Sequence, residues 1–418
     1  EHRFIRSLTP PVREEEAHRL SIGATVRRVA GETGGAVGSK VPLWFFPILH
    51  PSYRKELLMQ KQNLTQASQE LFRRSPDERF ASLDDLWRHC QDFKERSTDR
   101  WHAPAEILAH PQNGRLDLLL GGNGEDGYRL NDWSFSQLCK LAGVSKDTVN
   151  KVSADTAGRV LAETFPQGGK PMQVLTLDKA VRSIHGASYT RLHNLDLLAI
   201  VKEFGTDFEP PQTGMNGATG LYCGEQDMFA FLIDPTGWAE IESEAFAPGF
   251  FLWNSEVGRR SVGVQTFWFQ AVCQNHIVWD AVEVVDFSRK HTANVADSLR
   301  DIRRIIAQLV ERRDERRDGF ARVMKKAFET RLGDNAEDVA KVLFKHGIPR
   351  DLAKQALALA ERQGRFTIFT LVDALTRVAG EYQNAGDRLE ADQKAGALLA
   401  LAAEEMNVKP RALLPVAV

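Results

Sequence analysis

The spacing of apolar positions changes twice along the chain. From Tyr53 to Arg74, and again from Leu83 to Trp101, they recur at three- and four-residue intervals, which puts them on one face of a helix. Ser82 stands where it can cap the second of these, and Asp84 and Asp85 fall where a helix N-terminus favours negative charge. From Arg115 the pattern tightens into short apolar runs between turn residues. "RLDLLLGGNGEDGYRL" (115–130) predicts two strands about a glycine turn. "PMQVLTLD", "AVRSIHG" and "SYTRL" predict more strands up to Leu192, after which Asn194 caps a helix to about Phe204. "GLYCGE", "MFAFLID", "GFFLWNS" and "GVQTFWFQAV" complete the strand-rich centre. Beyond His291 the helical spacing returns and holds to Ala403, with breaks at Gly319, Gly333, Gly347-Ile348-Pro349 and Gly386. No fixed-period repeat is present.

Strands grouped in the middle, with helices outside them, predict an α+β fold. The expected architecture is a central, mostly antiparallel sheet with N-terminal helices and a helical C-terminal third. Residues 1–40 are polar or glycine-rich and end in "GETGGAVGSK", so a flexible arm is expected there. Residues 41–110 form an anchor and helices, with "VPLWFFPIL" (41–49) docking as an extended piece. Residues 111–290 make the central α+β domain, and 291–418 the helical C-terminal region.

The composition suits a soluble globular protein of 418 residues, with 43% hydrophobic and 26% charged residues. A formal net charge of −2 supplies no overall attraction to nucleic acid or to an acidic membrane, so any such attraction must be local. "VPLWFFPIL" is too short to span a bilayer. Cys90, Cys139, Cys223 and Cys273 lie far apart in sequence, which argues against a disulfide framework. No secretory signal is legible, and a cytoplasmic location is expected.

Several motifs fail on their chemistry. Gly122-x-Gly124-x-x-Gly127 has the spacing of a dinucleotide fingerprint, but Glu125 and Asp126 would repel a pyrophosphate and strand follows where a helix is needed. "GGAVGSK" fails as a phosphate loop because Ser39 separates the glycine from Lys40. Cys273-x-x-His276, with His291, His185 and His193 as further candidates, gives no convincing fourth metal ligand. No cofactor, metal or catalytic set is expected, and an enzyme is the less favoured reading.

The basic features carry more. From Arg289 to Arg331 thirteen Lys or Arg stand against seven Asp or Glu, including the doublet Arg303-Arg304, on an amphipathic helical pattern. A second group in the strand region combines Arg182, Tyr189, Arg191, Trp253, Arg259, Arg260 and Trp268. Aromatics with arginines on a sheet are what a single-strand binder uses to stack bases and hold phosphates. The rival reading is that these aromatics are core. "SQLCKLAGVSKDTVNKV" (136–152) has helix-turn-helix spacing. It would offer Lys146, Asp147, Thr148, Asn150 and Lys151 to a groove, but its weak cationic face favours a structural corner.

Four blocks in order are "YRLNDWSFSQLCKLAGVSKDTVNKV", "QVLTLDKAVRSIHGASYTRLHNLDLLAIVKEF", "FFLWNSEVGRRSVGVQTFWFQAVCQNHIVWDA" and "SRKHTANVADSL". This order resembles the phage/plasmid-like family, domain of unknown function number nine hundred and thirty-two, over about residues 80–385. The resemblance maps family positions onto Arg182, Ser188, Tyr189 and Arg191, onto Asn254, Ser255, Val272, Cys273 and Asn275, and onto Lys290, His291 and Thr292. His276 departs from the resemblance, which more usually has a small or hydroxyl residue there. The resemblance implies a gene of prophages and plasmids, with a remoter likeness to phage single-strand annealing proteins. It transfers no reaction.

The expectation that follows is a non-enzymatic, oligomeric DNA-binding protein of a mobile element. It would favour single strands and serve recombination, annealing or defence-related DNA transactions. Its contacts would be Arg182, Tyr189, Arg191, Arg259, Arg260, Lys290, His291, Arg303 and Arg304, converging on one cationic groove. The alternative is a protein-binding antirestriction or antidefence module that meets host defence or recombination proteins and does not touch DNA.

Overall fold

The structure is a computed structural model. It describes residues 74–121, 127–211, 220–271, 275–279, 283–284, 286–407 and 411–412. The expected arm, the "VPLWFFPIL" anchor, the helix from Tyr53, the glycine loop at 122–126 and Cys273 lie outside the described residues.

The fold is α+β, with a curled antiparallel sheet and a helical C-terminal part. The strand-rich part contains two sheets. The first has six strands: β2 (Ser97–His102), β3 (Ile107–Gln112), β4 (Arg115–Leu120), β5 (Gly127–Leu130), β6 (Met172–Leu177) and β7 (Ala180–His185). Their order is β2-β6-β7-β5-β4-β3, antiparallel except where β5 meets β7. The hairpin joining β3 to β4 turns on Asn113-Gly114, both left-handed at φ 51° and 74°. A type I′ turn demands that conformation, and Asn-Gly is the pair that adopts it most readily.

The second sheet has eight strands. Its path is β1 (Glu78–Arg79), β8 (Leu221–Cys223), β9 (Met228–Ile233), β11 (Glu244–Asn254), β12 (Val262–Gln270) and β13 (Asn275–Ile277). Strand β10 (Ala239–Ile241) pairs with β11, and β15 (Asp286–Arg289) pairs with β12. A separate two-residue ladder joins β14 (Glu283–Val284) to β16 (Arg411–Ala412). Both faces of β9, β11 and β12 are buried. That is why "MFAFLI" and "FFLW" read as unbroken apolar runs, without the alternation of a half-exposed strand.

One face of this sheet packs against α1 (Leu83–Arg96), α5 (Asn194–Glu203) and α6 (Asp297–Glu311). The other meets Ala385 and Leu389 of α11 (Ala385–Gly396). Its far end is buried by α7 (Arg313–Glu329), α8 (Ala336–Lys345), α9 (Arg350–Gln363), α10 (Ile368–Ala379) and α12 (Leu399–Glu405). Ser82 caps α1 as expected, accepting the Asp85 amide at 3.1 Å. Helix α1 ends at Arg96, so Trp101 belongs to strand β2. "SYTRL" is not a strand, and Gly319 and Gly386 lie buried inside α7 and α11. Among the described residues no helix is long and apolar enough to cross a membrane.

The helix-turn-helix pattern resolves into α2 (Asp132–Leu141), a single turn α3 (Lys146–Val149) and α4 (Ala154–Thr164). Leu138 and Val149 are buried in one core with Leu141 and Val144 against it. The Lys146 ammonium is spent on Asp132. A one-turn helix is too short to enter a groove and present a row of side chains, so the stretch folds a corner.

Trp253 and Trp268 are core. Trp268 is fully buried and stacks on Phe320, ring centres 3.9 Å apart and planes within 6°. Trp253 sits beside Phe251. Trp268→Ala is expected to lower stability by about 3–5 kcal/mol, because it opens a cavity at a stacked aromatic pair. A urea midpoint shift under 1 kcal/mol would show that the ring is not in the core.

Candidate functional site

The polar centre of the molecule is the turn that joins β11 to β12. The Gly258 amide donates to the Ser255 carbonyl at 3.0 Å, closing a tight bend that carries Glu256 inward. Glu256 is only 4% exposed. One carboxylate oxygen accepts Arg182 Nη1 at 2.8 Å. The other accepts the Asn194 amide at 2.9 Å and lies 3.5 Å from His193 Nδ1. Burial alone would push this carboxyl upward, but His193, Arg182 and the Asn194 amide outweigh it and hold Glu256 at about 2.

Local irregularities deliver these partners. Between β6 and β7 the register slips, since Leu175 faces Ser183 while Thr176 faces Val181. Arg182 is therefore the extra residue of a β-bulge, a device that re-aims a side chain. Its guanidinium crosses to Glu256 while lying 5.4 Å from the centre of the Phe93 ring. Asn194, expected to cap α5, is instead its first residue. The cap is His193, whose side chain makes no capping bond, and Glu256 supplies the acceptor from across the chain. The Asn194 side chain turns to Asn254 Nδ2, 2.9 Å away.

Arg191 completes the network. Its Nη1 donates to the Glu256 carbonyl, and its Nε donates to Asp99 of β2 at 2.9 Å. Asp99 also accepts Gln173 Nε2 at 2.8 Å. The six-stranded sheet and the turn of the eight-stranded sheet are thus tied by one set of charge-assisted bonds.

Beside it stands a ladder of rings. His185 stacks on Tyr189 with centres 3.7 Å apart, and His291 lies on the Tyr189 ring at 5.5 Å. The Tyr189 hydroxyl donates to the Glu256 carbonyl at 2.7 Å. Gly258 is required here. Its φ is +71°, and a Cβ would stand 2.6 Å from His185 Cε1 and 2.9 Å from Tyr189 Cε2. Burial first, then the charge of Arg191, lowers His185 to about 4; burial is the main reason His291 is also lowered to about 4. Both imidazoles are neutral at pH 7.

Among the described residues of this centre, the Ser255 hydroxyl is committed to backbone partners. It donates to the Gln226 carbonyl at 2.6 Å and accepts the Arg259 amide at 2.8 Å. Among the described residues no group of three or more His, Cys, Asp and Glu is placed to hold a metal. His276 is buried against Phe231. The arrangement fixes geometry.

The other expected contacts are dispersed into ion pairs. Arg303 grips Glu203 through two bonds of 2.6 and 2.7 Å, and Arg304 lies 3.6 Å from Asp301. Arg260 bridges Asp227 and Glu390, both at 3.3 Å. From β15 through α7 many cations face an acid: Arg289 with Asp301, Arg300 with Asp297, Arg312 with Glu315 and Arg317 with Asp314. Arg316 is buried and donates to the Gly249 carbonyl at 3.3 Å. Arg259 and Lys290 are exposed, the former 5.7 Å from the Trp133 ring. Arg182, Tyr189, Arg191 and His291 do converge, but around Glu256 and not on open solvent.

A shallower feature lay outside the sequence reading because β2 was taken as helix. On the six-stranded sheet, Arg100 and His102 of β2, Thr176, Asp178 and Tyr128 line a depression of about 100 Å³. Lys179 Nζ lies 5.4 Å from the Tyr128 ring centre. Arg100 and Lys179 are exposed.

Residues 183–385 match the family model described as Domain of unknown function (DUF932), a span that holds Tyr189, Arg191, Glu256 and His291. The match begins within β7, so the helix-turn-helix block lies outside it. No curated protein and no solved structure matches the chain.

Two outcomes follow from the centre. Glu256→Gln keeps the shape but leaves Arg182 buried without its counter-charge, so a loss of about 3–5 kcal/mol is expected in urea melts. Second, His185 and His291 bind protons in the unfolded chain at their ordinary value of 6.5 but in the fold only near 4. The unfolded state therefore holds more protons in that window, and stability falls as pH drops from 6.5 toward 4. The double variant His185→Gln/His291→Gln should flatten that slope; an unchanged slope would remove the two imidazoles as its cause.

Proposed function

We propose that this DUF932-bearing chain is a non-catalytic DNA-binding protein of a mobile element, oligomeric and favouring single strands. The strand would lie across the depression near edge strand β2 of the six-stranded sheet. The observation that carries this reading is the cation held over an aromatic ring beside a further exposed arginine: Lys179 above Tyr128, with Arg100 in the same depression. Single-strand binders use such surfaces, aromatic faces for bases and cations for the backbone. The family resemblance supports the same reading through its mobile-element setting. The arginines of the Glu256 centre and Arg303 and Arg304 serve the fold in this account, since each already faces a carboxylate.

A protein-binding role in antirestriction or antidefence is the second reading. It is favoured by Trp101, 51% exposed on edge strand β2. Salt-titrated binding of a fluorescent oligonucleotide separates the two. The log of affinity should fall linearly with log salt. Arg100→Ala/Tyr128→Ala should weaken binding about tenfold or more, the scale of one lost stacking contact and one phosphate contact. Arg303→Ala/Arg304→Ala should bind as the parent does. Absence of binding to single or double strands at low salt rejects the proposal, and capture of a host protein that survives nuclease treatment would then favour the second reading.

A further inference from the structure

We propose that α11 is a proton-sensitive strap across the aromatic face of the eight-stranded sheet, seated while the Asp392 carboxyl holds a proton and loosened when it ionises. Among the described residues, α11 gives that aromatic core only Ala385 and Leu389. Its Ala391 and Ala395 turn to the helical cluster. The buried face of α11 also carries two chargeable groups, Arg388 and Asp392. Polar contacts tie it further. Arg388 Nη1 donates to the Tyr222 hydroxyl of β8 at 3.2 Å, and Gln393 Nε2 donates to Gln265 of β12 at 2.6 Å. An element with few buried apolar contacts is among the first to open.

The entrance of the helix is clasped from outside. Asp77, ahead of β1, accepts the Ala385 amide at 2.8 Å and so supplies the cap that the Asn384 side chain does not. Arg260 bonds Glu390 at 3.3 Å. Both contacts are built around glycine. A Cβ on Gly224 would overlap Asp77 Oδ1, and one on Gly386 would stand 2.6 Å from Arg260 Nη2.

Asp392 is the weak point of this seat. Its side chain is fully buried, and neither carboxylate oxygen has a hydrogen-bond partner among the described residues. Arg388 Nε lies 3.4 Å from it, one turn back along the same helix. A carboxylate without hydrogen bonds in an apolar core favours its neutral form, and a single cation at that distance offsets only part of the cost. Burial accordingly raises Asp392 to about 7, against the pull of Arg388. The other chargeable groups packed around the helix are matched. Asp77 pairs with Arg74, Asp227 with Arg260, and Asp373 with Arg377 on α10. His276 of β13 is neutral, lowered first by burial and then by Arg388. On α11 itself Asp387, Glu390 and Lys394 are exposed. Unseated, the Asp392 carboxyl meets water and titrates at its ordinary 3.8. The seated helix holds the extra proton between that value and about 7, so the seat weakens as pH rises through the window.

Hydrogen exchange of the full chain, read by peptide mass at about pH 5.5 and about pH 7.5 and corrected for intrinsic exchange, tests this. Protection of α11 should fall about tenfold or more at the higher pH, while that of α9 does not. The direction is opposite to the effect of His185 and His291, whose neutral forms firm the fold as pH rises. Asp392→Asn, a neutral mimic of the protonated acid, should hold α11 at its low-pH protection throughout. Asp77→Asn should lower that protection at both pH values and keep the fall between them. Equal protection of α11 in the parent chain at the two pH values overturns the proposal, even should neither variant fold. A fall that persists in Asp392→Asn, or one shared equally by α9, overturns it too. The readout uses the chain alone and stands apart from whether the protein binds DNA.

Discussion

A carboxylate taken out of water costs several kcal/mol unless its lone pairs are met by cations and amides in good geometry. Glu256 is in that position, and its partners come from separate parts of the chain: a bulged residue of β7, the entrance to α5, and a histidine before it. Each partner depends on a local feature that would be unfavourable by itself. The bulge leaves Arg182 without a cross-strand mate, and the start of α5 leaves an amide that its own cap does not satisfy. The carboxylate resolves both while being resolved by them. Such a network is all-or-none in character, since removing any member leaves a buried charge or dipole exposed to a medium that cannot solvate it.

This constraint explains why residues with the look of a binding site turn inward. Arg182, Tyr189, Arg191 and His291 have the composition of a nucleic-acid surface, and they do assemble. What they surround is an internal anion. A turn that ends one sheet is thereby held against the middle of another, with Asp99 balancing the second arginine at the edge strand. The phosphate reading and the structural reading use the same chemistry, and only the position of Glu256 distinguishes them.

Much of the fold was legible because its signals are local. Ser82 before an acidic first turn marks a helix start, and runs such as "MFAFLI" mark strands buried on both faces. Strands β2 and β3 were missed for a definite reason. "STDRWH" is an exposed edge strand with little apolar alternation, and its register is set by β6 and not by its own residues. The Asn113-Gly114 pair was the available signal for the β3–β4 hairpin. The Glu256 centre was harder. A lone acid in "NSEVGRR" gives no periodic sign, and its role depends on contacts more than sixty residues away in the chain. The basic stretch from Arg289 misled in the opposite sense, since net charge counted along a segment ignores acids supplied from elsewhere, such as Glu203 for Arg303 and Asp234 for Arg313.

The same long-range logic governs how α5 is seated on the eight-stranded sheet. Asn194, the first residue of α5, meets the eight-stranded sheet at three points: its amide reaches Glu256, its side-chain oxygen accepts Asn254, and its nitrogen approaches Cys223. Asn254 in turn donates to the Leu192 carbonyl at 2.9 Å, fixing the segment that leads into α5. A displacement of α1 against β8 would therefore be felt first at Asn194. To keep its amide bond to the carboxylate, α5 would have to stay in place while one wall of its pocket moved. A packed apolar contact yields gradually to such a shift. A hydrogen bond to a buried carboxylate does not, because its energy falls steeply with distance and angle. Helix α5 is thus coupled to the turn of the eight-stranded sheet by a bond that is either made or broken.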